Sequence, residues 1–228
     1  MTTTTVPVGL VVARAPVPGE AKTRLAAVVG PRHAAELAAA ALLDTIDACE
    51  RAFGRARCHL ALTGDLDRAA RAGELRHRLG GWTVHPQRGD GFAERLARAH
   101  QDVAGHARAP VVQIGMDTPH VTHEHLHAVA DLLHRATAVL GPASDGGWWV
   151  LGLQSPGPAT ALAGVPMSTE RTCADTEAAL QAAGADVART SELRDVDTVE
   201  DAAAVAAESP GSRFAEAWSD VAGGRMGG

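Results

Sequence analysis

Four short stretches set charged side chains beside residues that break or turn the chain. "APVPGEAKTRLA" (15–26) carries Lys22 and Arg24 shortly after Gly19. "MDTPH" (116–120) places Asp117 just ahead of a proline, "GPASDGGWWVLGL" (141–153) sets Asp145 before two glycines, and "RDVDTVED" (194–201) offers Asp195 and Asp197. An ammonium and a guanidinium near a glycine suit a pyrophosphate, because lysine supplies a point charge, arginine a fork, and glycine lets backbone come close. Carboxylates can share a hard cation, since Mg²⁺ takes one or two of them together with substrate phosphates. Each stretch also has an ordinary reading. Lys22 and Arg24 would be solvent-facing loop charges, Asp117, Asp195 and Asp197 would cap helices, and Asp145-Gly146-Gly147 would be a tight turn.

These residues matter only if a scaffold brings them together, and the pattern of apolar runs supplies one. Short runs read as strands at 8–13, 57–62, 82–86, 110–115, 137–142, 148–153 and 185–190. Amphipathic stretches at 31–52, 65–79, 92–106, 122–135, 169–183 and 198–208 read as helices, the first preset by Gly30-Pro31. Strands alternating with helices imply an α/β sheet, and ligands gather beyond the carboxyl ends of its strands. Lys22, Asp117, Asp145 and Asp197 all lie next to strand ends. The first loop is neither a Walker A nor a GxGxxG motif, because Pro16 and Ala21 stand where the former needs glycines.

Composition narrows the partners. The 228 residues carry a net charge of −6 with no basic run, which argues against nucleic acid. No stretch approaches the roughly 20 apolar residues of a membrane span. The widely spaced Cys49, Cys58 and Cys173 contain no CxxC pair, and they suit a reduced, cytoplasmic protein rather than a disulfide or zinc framework. One domain over 1–209 is expected, followed by a tail at 210–228 in which Phe214 and Trp218 could dock a short helix.

The order of "VVARAPVPGEAKTRLAAVVGPRHAAELAAAALLDTI", "QIGMDTPHVT", "GPASDGGWWVLGL", "MSTERTCADTEAAL" and "LRDVDTVEDA" resembles the DUF2064 family of candidate glycosyltransferases. These are the arsenosugar-biosynthesis-type or radical-SAM/selenodomain-associated transferases of the GT-A-like nucleotide-diphospho-sugar transferase superfamily. The chain is also similar to a guanylyltransferase group that primes phospholactate or phosphoenolpyruvate, which shares the KTRLA-type loop and the DVDT-type end.

The resemblance implies a Rossmann-like, mixed but mostly parallel sheet with helices on both faces, and a nucleotide over its N-terminal half. Ala13, Arg14, Gly19, Lys22 and Arg24 would line base, ribose and phosphates, with Gln87 and Arg95 completing that pocket, although Phe92-Ala93 replaces the family's Leu-Gly. Asp117 and Asp197 would hold Mg²⁺ or Mn²⁺. Asp145 would act as base or acceptor-orienting acid, with Gly146 and Trp148 beside the acceptor. Having no tyrosine, this chain offers Trp148 and Trp149 where the family has phenols.

The implied function is transfer of a sugar from a nucleotide-sugar donor to a small-molecule acceptor. The alternative is nucleotidyl transfer with release of pyrophosphate, using the same acids and cations, and an idle nucleotide-binding protein is the non-enzymatic reading. His120, His123, His125 and His127 form a separate cluster at a helix start, where His123 and His127 share a face, but no third ligand is in register; a solvated face is the expectation.

Overall fold

The computed structural model describes residues 6–226. The apolar run after Pro7 becomes β1 (Val8–Arg14), buried at every position but its last. A strand so covered must sit centrally in a sheet packed on both faces. β1 pairs in parallel with β2 (Cys58–Thr63) on one side and β4 (Val111–Gly115) on the other. β3 (Thr83–Pro86) extends the first side. On the other side come β6 (Trp148–Leu153), β5 (Ala138–Pro142) and β7 (Val187–Arg189), giving the order β3-β2-β1-β4-β6-β5-β7. β6 alone runs antiparallel to both neighbours, so the sheet is mixed and mostly parallel.

Helices cover both faces. α1 (Thr23–Val29) and α2 (Pro31–Phe53) follow β1, and α3 (Ala72–Arg78) and α4 (Phe92–Ala107) flank β3. α5 (His123–Leu132), α6 (Thr172–Ala182), α7 (Val199–Glu208) and α8 (Arg213–Met226) complete the set. Leu42, Leu43, Ile46, Leu75, Leu126 and Trp149 fill one face of the sheet, and Leu96, Val103, Leu140, Leu162 and Leu180 the other. A third cluster joins Leu25, Leu37, Val205 and Phe214, seating α8 against α2 and α7.

Two segments depart from the sequence expectation. α1 emerges from the proline- and glycine-rich loop, entered through Lys22 in the left-handed region at φ 48°. The stretch 65–79 divides into a 3₁₀ turn, Leu66–Arg68, and α3, with Arg71 left-handed between them at φ 53°. The break follows from Ala70, whose N–H donates to the Pro16 carbonyl at 2.9 Å rather than continuing a helix. Among the described residues no helix is long and apolar enough to cross a membrane.

Candidate active site

The carboxyl ends of β1 and β4, the β5–β6 turn and the segment leading into α7 rim one cleft of about 1110 Å³. Backbone bonds bring these distant parts together. The Val196 N–H donates to the Asp117 carbonyl at 2.8 Å, and the Ser144 N–H donates to the Leu193 carbonyl at 3.0 Å. The acids there cap no helix. Thr122 caps α5 in a capping box with His125, and Thr198 caps α7 in another with Asp201, which leaves Asp117, Asp195 and Asp197 free for other work.

Lys22 is the hub of this rim. Its ammonium lies 2.6 Å from Asp117 Oδ1 and 3.5 Å from Asp197 Oδ1, and it also donates to the Val196 carbonyl. The expectation of a solvent-facing lysine is corrected: its side chain is only 10 % exposed. Burial alone would lower its pKa, but the charges of Asp117, Asp197 and Asp195 outweigh that and leave it raised. Arg24 does face solvent, at 78 % exposure, and reaches Asp197 Oδ2 at 3.3 Å.

Asp195 lies deeper, accepting a hydrogen bond from Thr118 Oγ1 at 2.5 Å. Burial, with Asp117 and Asp145 adding like charge against the opposing Thr118 bond, pushes its pKa up to about 7. Asp117 and Asp197 remain nearly half-exposed and already share one cation, the Lys22 ammonium. An oxygen-only pair of this kind, open to the cleft, fits a hard divalent ion whose remaining ligands are water and phosphate. Among the described residues no three His, Cys, Asp or Glu side chains form a complete ligand set, so these two acids would need such outside ligands.

On the opposite wall Gln87 Nε2 donates to the Ala13 and Ala61 carbonyls at 2.8 and 2.9 Å, which fixes the amide and leaves Oε1 as an acceptor. Arg95 lines the same wall, and its buried Nε has no partner. At the far end Asp145 is exposed on its turn, with Oδ1 accepting from the Gly147 N–H at 2.8 Å. Gly146, at φ 88°, allows that turn, and a Cβ there would run into the Glu170 backbone. Trp148 Nε1 donates to Thr176 Oγ1 at 3.2 Å, while Trp149 is buried and donates to the Ser191 carbonyl.

Ala13, Arg14, Lys22, Arg24, Gln87, Arg95, Asp117, Asp145, Trp148 and Asp197 all line the cleft. Gly19 and Gly146 do not, although both hold positive-φ turns; Gly115 and Gly147 are the glycines that face the space. Sequence reasoning assigned no role to Met167–Glu170, which form a side of the cleft, or to Thr118. The signal for the former was the "MSTERT" stretch, whose last residues were expected inside a helix over 169–183 that in fact starts at Thr172. The histidines at α5 stay outside the cleft. His123 and His127 stack edge-on at 5.7 Å, His127 Nε2 meets the Ala52 carbonyl, and His125 packs on Trp149.

The fold recurs in solved structures. A candidate nucleotide-diphospho-sugar transferase of Desulfovibrio desulfuricans is similar at 24% identity over 97% of this chain and 96% of that one, with a TM-score of 0.82. A cytidylyltransferase of Leptospira borgpetersenii matches at 13% identity over 97% and 96%, TM-score 0.56. A Mycobacterium tuberculosis protein in complex with manganese matches at 19% identity over 89% and 98%, TM-score 0.52. No curated protein sequence matches the chain. The profile of DUF2064, described as uncharacterized proteins conserved in bacteria, matches residues 45–169, more than half of the chain, and the protein belongs to that family.

Proposed function

We propose that this protein is a divalent-metal-dependent glycosyltransferase that moves a sugar from a nucleotide-diphospho-sugar to a small-molecule acceptor. The observation that carries this reading is the convergence of Lys22, Asp117, Asp197 and Asp145, from four separate chain segments, on one cleft. Gln87 Oε1 and the Arg95 side chain would hold base, ribose or phosphate on the wall beside Ala13 and Arg14. Lys22 and Arg24 neutralise the diphosphate. Asp117 and Asp197 would hold Mg²⁺ or Mn²⁺, which would supply positive charge to stabilise the departing diphosphate. Asp145, steered by its bond to Gly147, offers its second oxygen to orient and deprotonate the acceptor beside Trp148. A cytoplasmic location goes with this reading, supported by three buried free cysteines that suit a reducing compartment.

The second reading is nucleotidyl transfer. The direct contact of Lys22 with Asp117 is compatible with it, since that arrangement would serve the α-phosphate of a nucleoside triphosphate equally well. Product analysis separates the two. With Mg²⁺ or Mn²⁺ and a panel of nucleotide-sugars, the expected products are a free nucleoside diphosphate and a glycosylated acceptor; pyrophosphate released from a triphosphate would overturn the glycosyltransferase assignment. Asp145→Asn should slow transfer by about 10²–10⁴-fold while nucleotide-sugar affinity changes little.

A further inference from the structure

Among the described residues four large apolar side chains stand exposed: Val6, Val28, Val84 and Phe92. Of these, Phe92 alone lines the cleft. The other two phenylalanines, Phe53 and Phe214, are buried in the core. A single exposed valine is ordinary surface, but a phenyl ring held in water on the wall of a cleft is area that a ligand can cover.

The turn that carries the ring is fixed. Phe92 opens α4, and Glu94 ties the residues before it: the Asp90 N–H donates to Glu94 Oε2 at 2.8 Å, and Arg98 Nε donates to Glu94 Oε1 at 2.8 Å. Gly89, at φ 128°, passes so near that a Cβ there would stand 3.0 Å from the Glu94 side chain. With Glu94 engaged in this way, Arg95 has no acidic partner among the described residues, and its guanidinium carbon lies 5.9 Å from the centre of the Phe92 ring.

Strand order decides what can reach the ring. Gln87 and Phe92 follow β3, Lys22 follows β1, Asp117 follows β4, and Asp145 stands on the β5–β6 turn. The charged centre therefore lies between an acidic end and an end that offers an amide, a phenyl ring and a guanidinium. One strand, β2, separates β3 from β1, a step of about 10 Å. We propose that Phe92 is the stacking surface for the nucleotide's planar base and so determines how tightly the cleft holds a nucleotide, an inference that rests on the nucleotide-binding reading above. Every base has a π-face to lay on the ring, and the planar Arg95 guanidinium beside it adds to the same surface. Gln87 Oε1, its amide fixed by two bonds, accepts from an N–H at the edge of the base.

The test is calorimetric titration in Mg²⁺ with ADP, GDP, CDP and UDP, and with inorganic pyrophosphate as the probe that has no base. Wild type should bind at least one of the four more tightly than pyrophosphate. Phe92→Leu keeps an apolar side chain at an exposed position but removes the π-face; it should weaken that nucleotide about tenfold, leave pyrophosphate unchanged and melt as wild type does. Phe92→Tyr should restore the affinity. In Phe92→Trp the nucleotide should quench indole fluorescence beyond the change seen in wild type, and pyrophosphate should not. Wild-type nucleotide affinity in Phe92→Leu, an equal loss for pyrophosphate, or an indole that nucleotide does not quench would overturn the role of Phe92. None of these readouts needs an acceptor or a turnover, so they hold whether the cleft transfers a glycosyl or a nucleotidyl group.

Discussion

At the seam of α2, α3 and α8, Asp47 and Glu50 share the Arg78 guanidinium, Arg213 reaches Asp47 at 2.5 Å and Asp44 at 3.4 Å, and Arg55 adds a contact to Glu50. Asp44 also accepts from the Phe214 and Arg213 N–H groups, satisfying the start of α8 from a neighbouring helix. At the cleft, Asp117, Asp195 and Asp197 gather around Lys22, with Arg24 outside. Both places join acids and bases from distant parts of the chain, yet their charge accounts differ. In the seam, burial raises the pKa of Asp44 and would raise those of Asp47 and Glu50, but hydrogen bonds from Arg78 and its neighbours outweigh it at the latter two and hold both carboxyls below their usual range. In the cleft the carboxylates outnumber their cations, and Asp195 is pushed up to about 7. A balanced cluster is a fastening, whereas a surplus of carboxylates is the feature that the proposed metal site would use.

The contrast can be broken most sharply at Asp117. Asp117→Asn should reduce turnover at least about 10²-fold, in line with the loss of a key electrostatic group, while the melting temperature stays near wild type because Lys22 keeps Asp197. A variant that unfolds instead would make the cleft cluster structural. Next comes Arg78→Met, expected to cost about 2–3 kcal/mol of stability at neutral pH by urea unfolding, somewhat less than a fully buried pair. The sign of its pH dependence follows from the depressed folded pKa values of Asp47 and Glu50. Their contribution is complete above the ordinary carboxylate range near pH 4 and is lost as pH falls through the folded values, so the cost of Arg78→Met should shrink in acid. The smallest effect is expected at Arg24→Ala: stability within about 0.5 kcal/mol, as for exposed ion pairs, and nucleotide affinity reduced about tenfold in a titration. Unchanged affinity would return Arg24 to the solvated charges.

Much of this was legible in the sequence, for a local reason. The runs at 8–13 and 110–115 are continuous because their strands are buried on both faces, so the position of Asp117 at a strand end could be read from its neighbours alone. The Asp145 turn was equally local. What could not be read depends on partners far along the chain. Lys22 is buried because of Val196, 174 positions away, and nothing within its own loop announces that. Asp195 is set apart from Asp197 by its bond to Thr118, 77 positions earlier, a distinction the repeated aspartates do not show.

The bond between Val196 and Asp117, with Lys22 closing on both, also bears on the order in which the molecule is made. The β5–β6 turn can form from residues within a dozen positions of each other, whereas the cation-binding rim joins the first loop, the middle of the chain and the approach to α7. Contacts of such long sequence separation pay their loop-closure entropy late in folding. A chain emerging from the ribosome would therefore have Asp145 on its hairpin before Lys22 had its full set of partners. Until the segment around Val196 arrives, Lys22 has neither the Asp197 carboxylate nor the Val196 carbonyl to hold it, so this corner of the cleft is the last to be built.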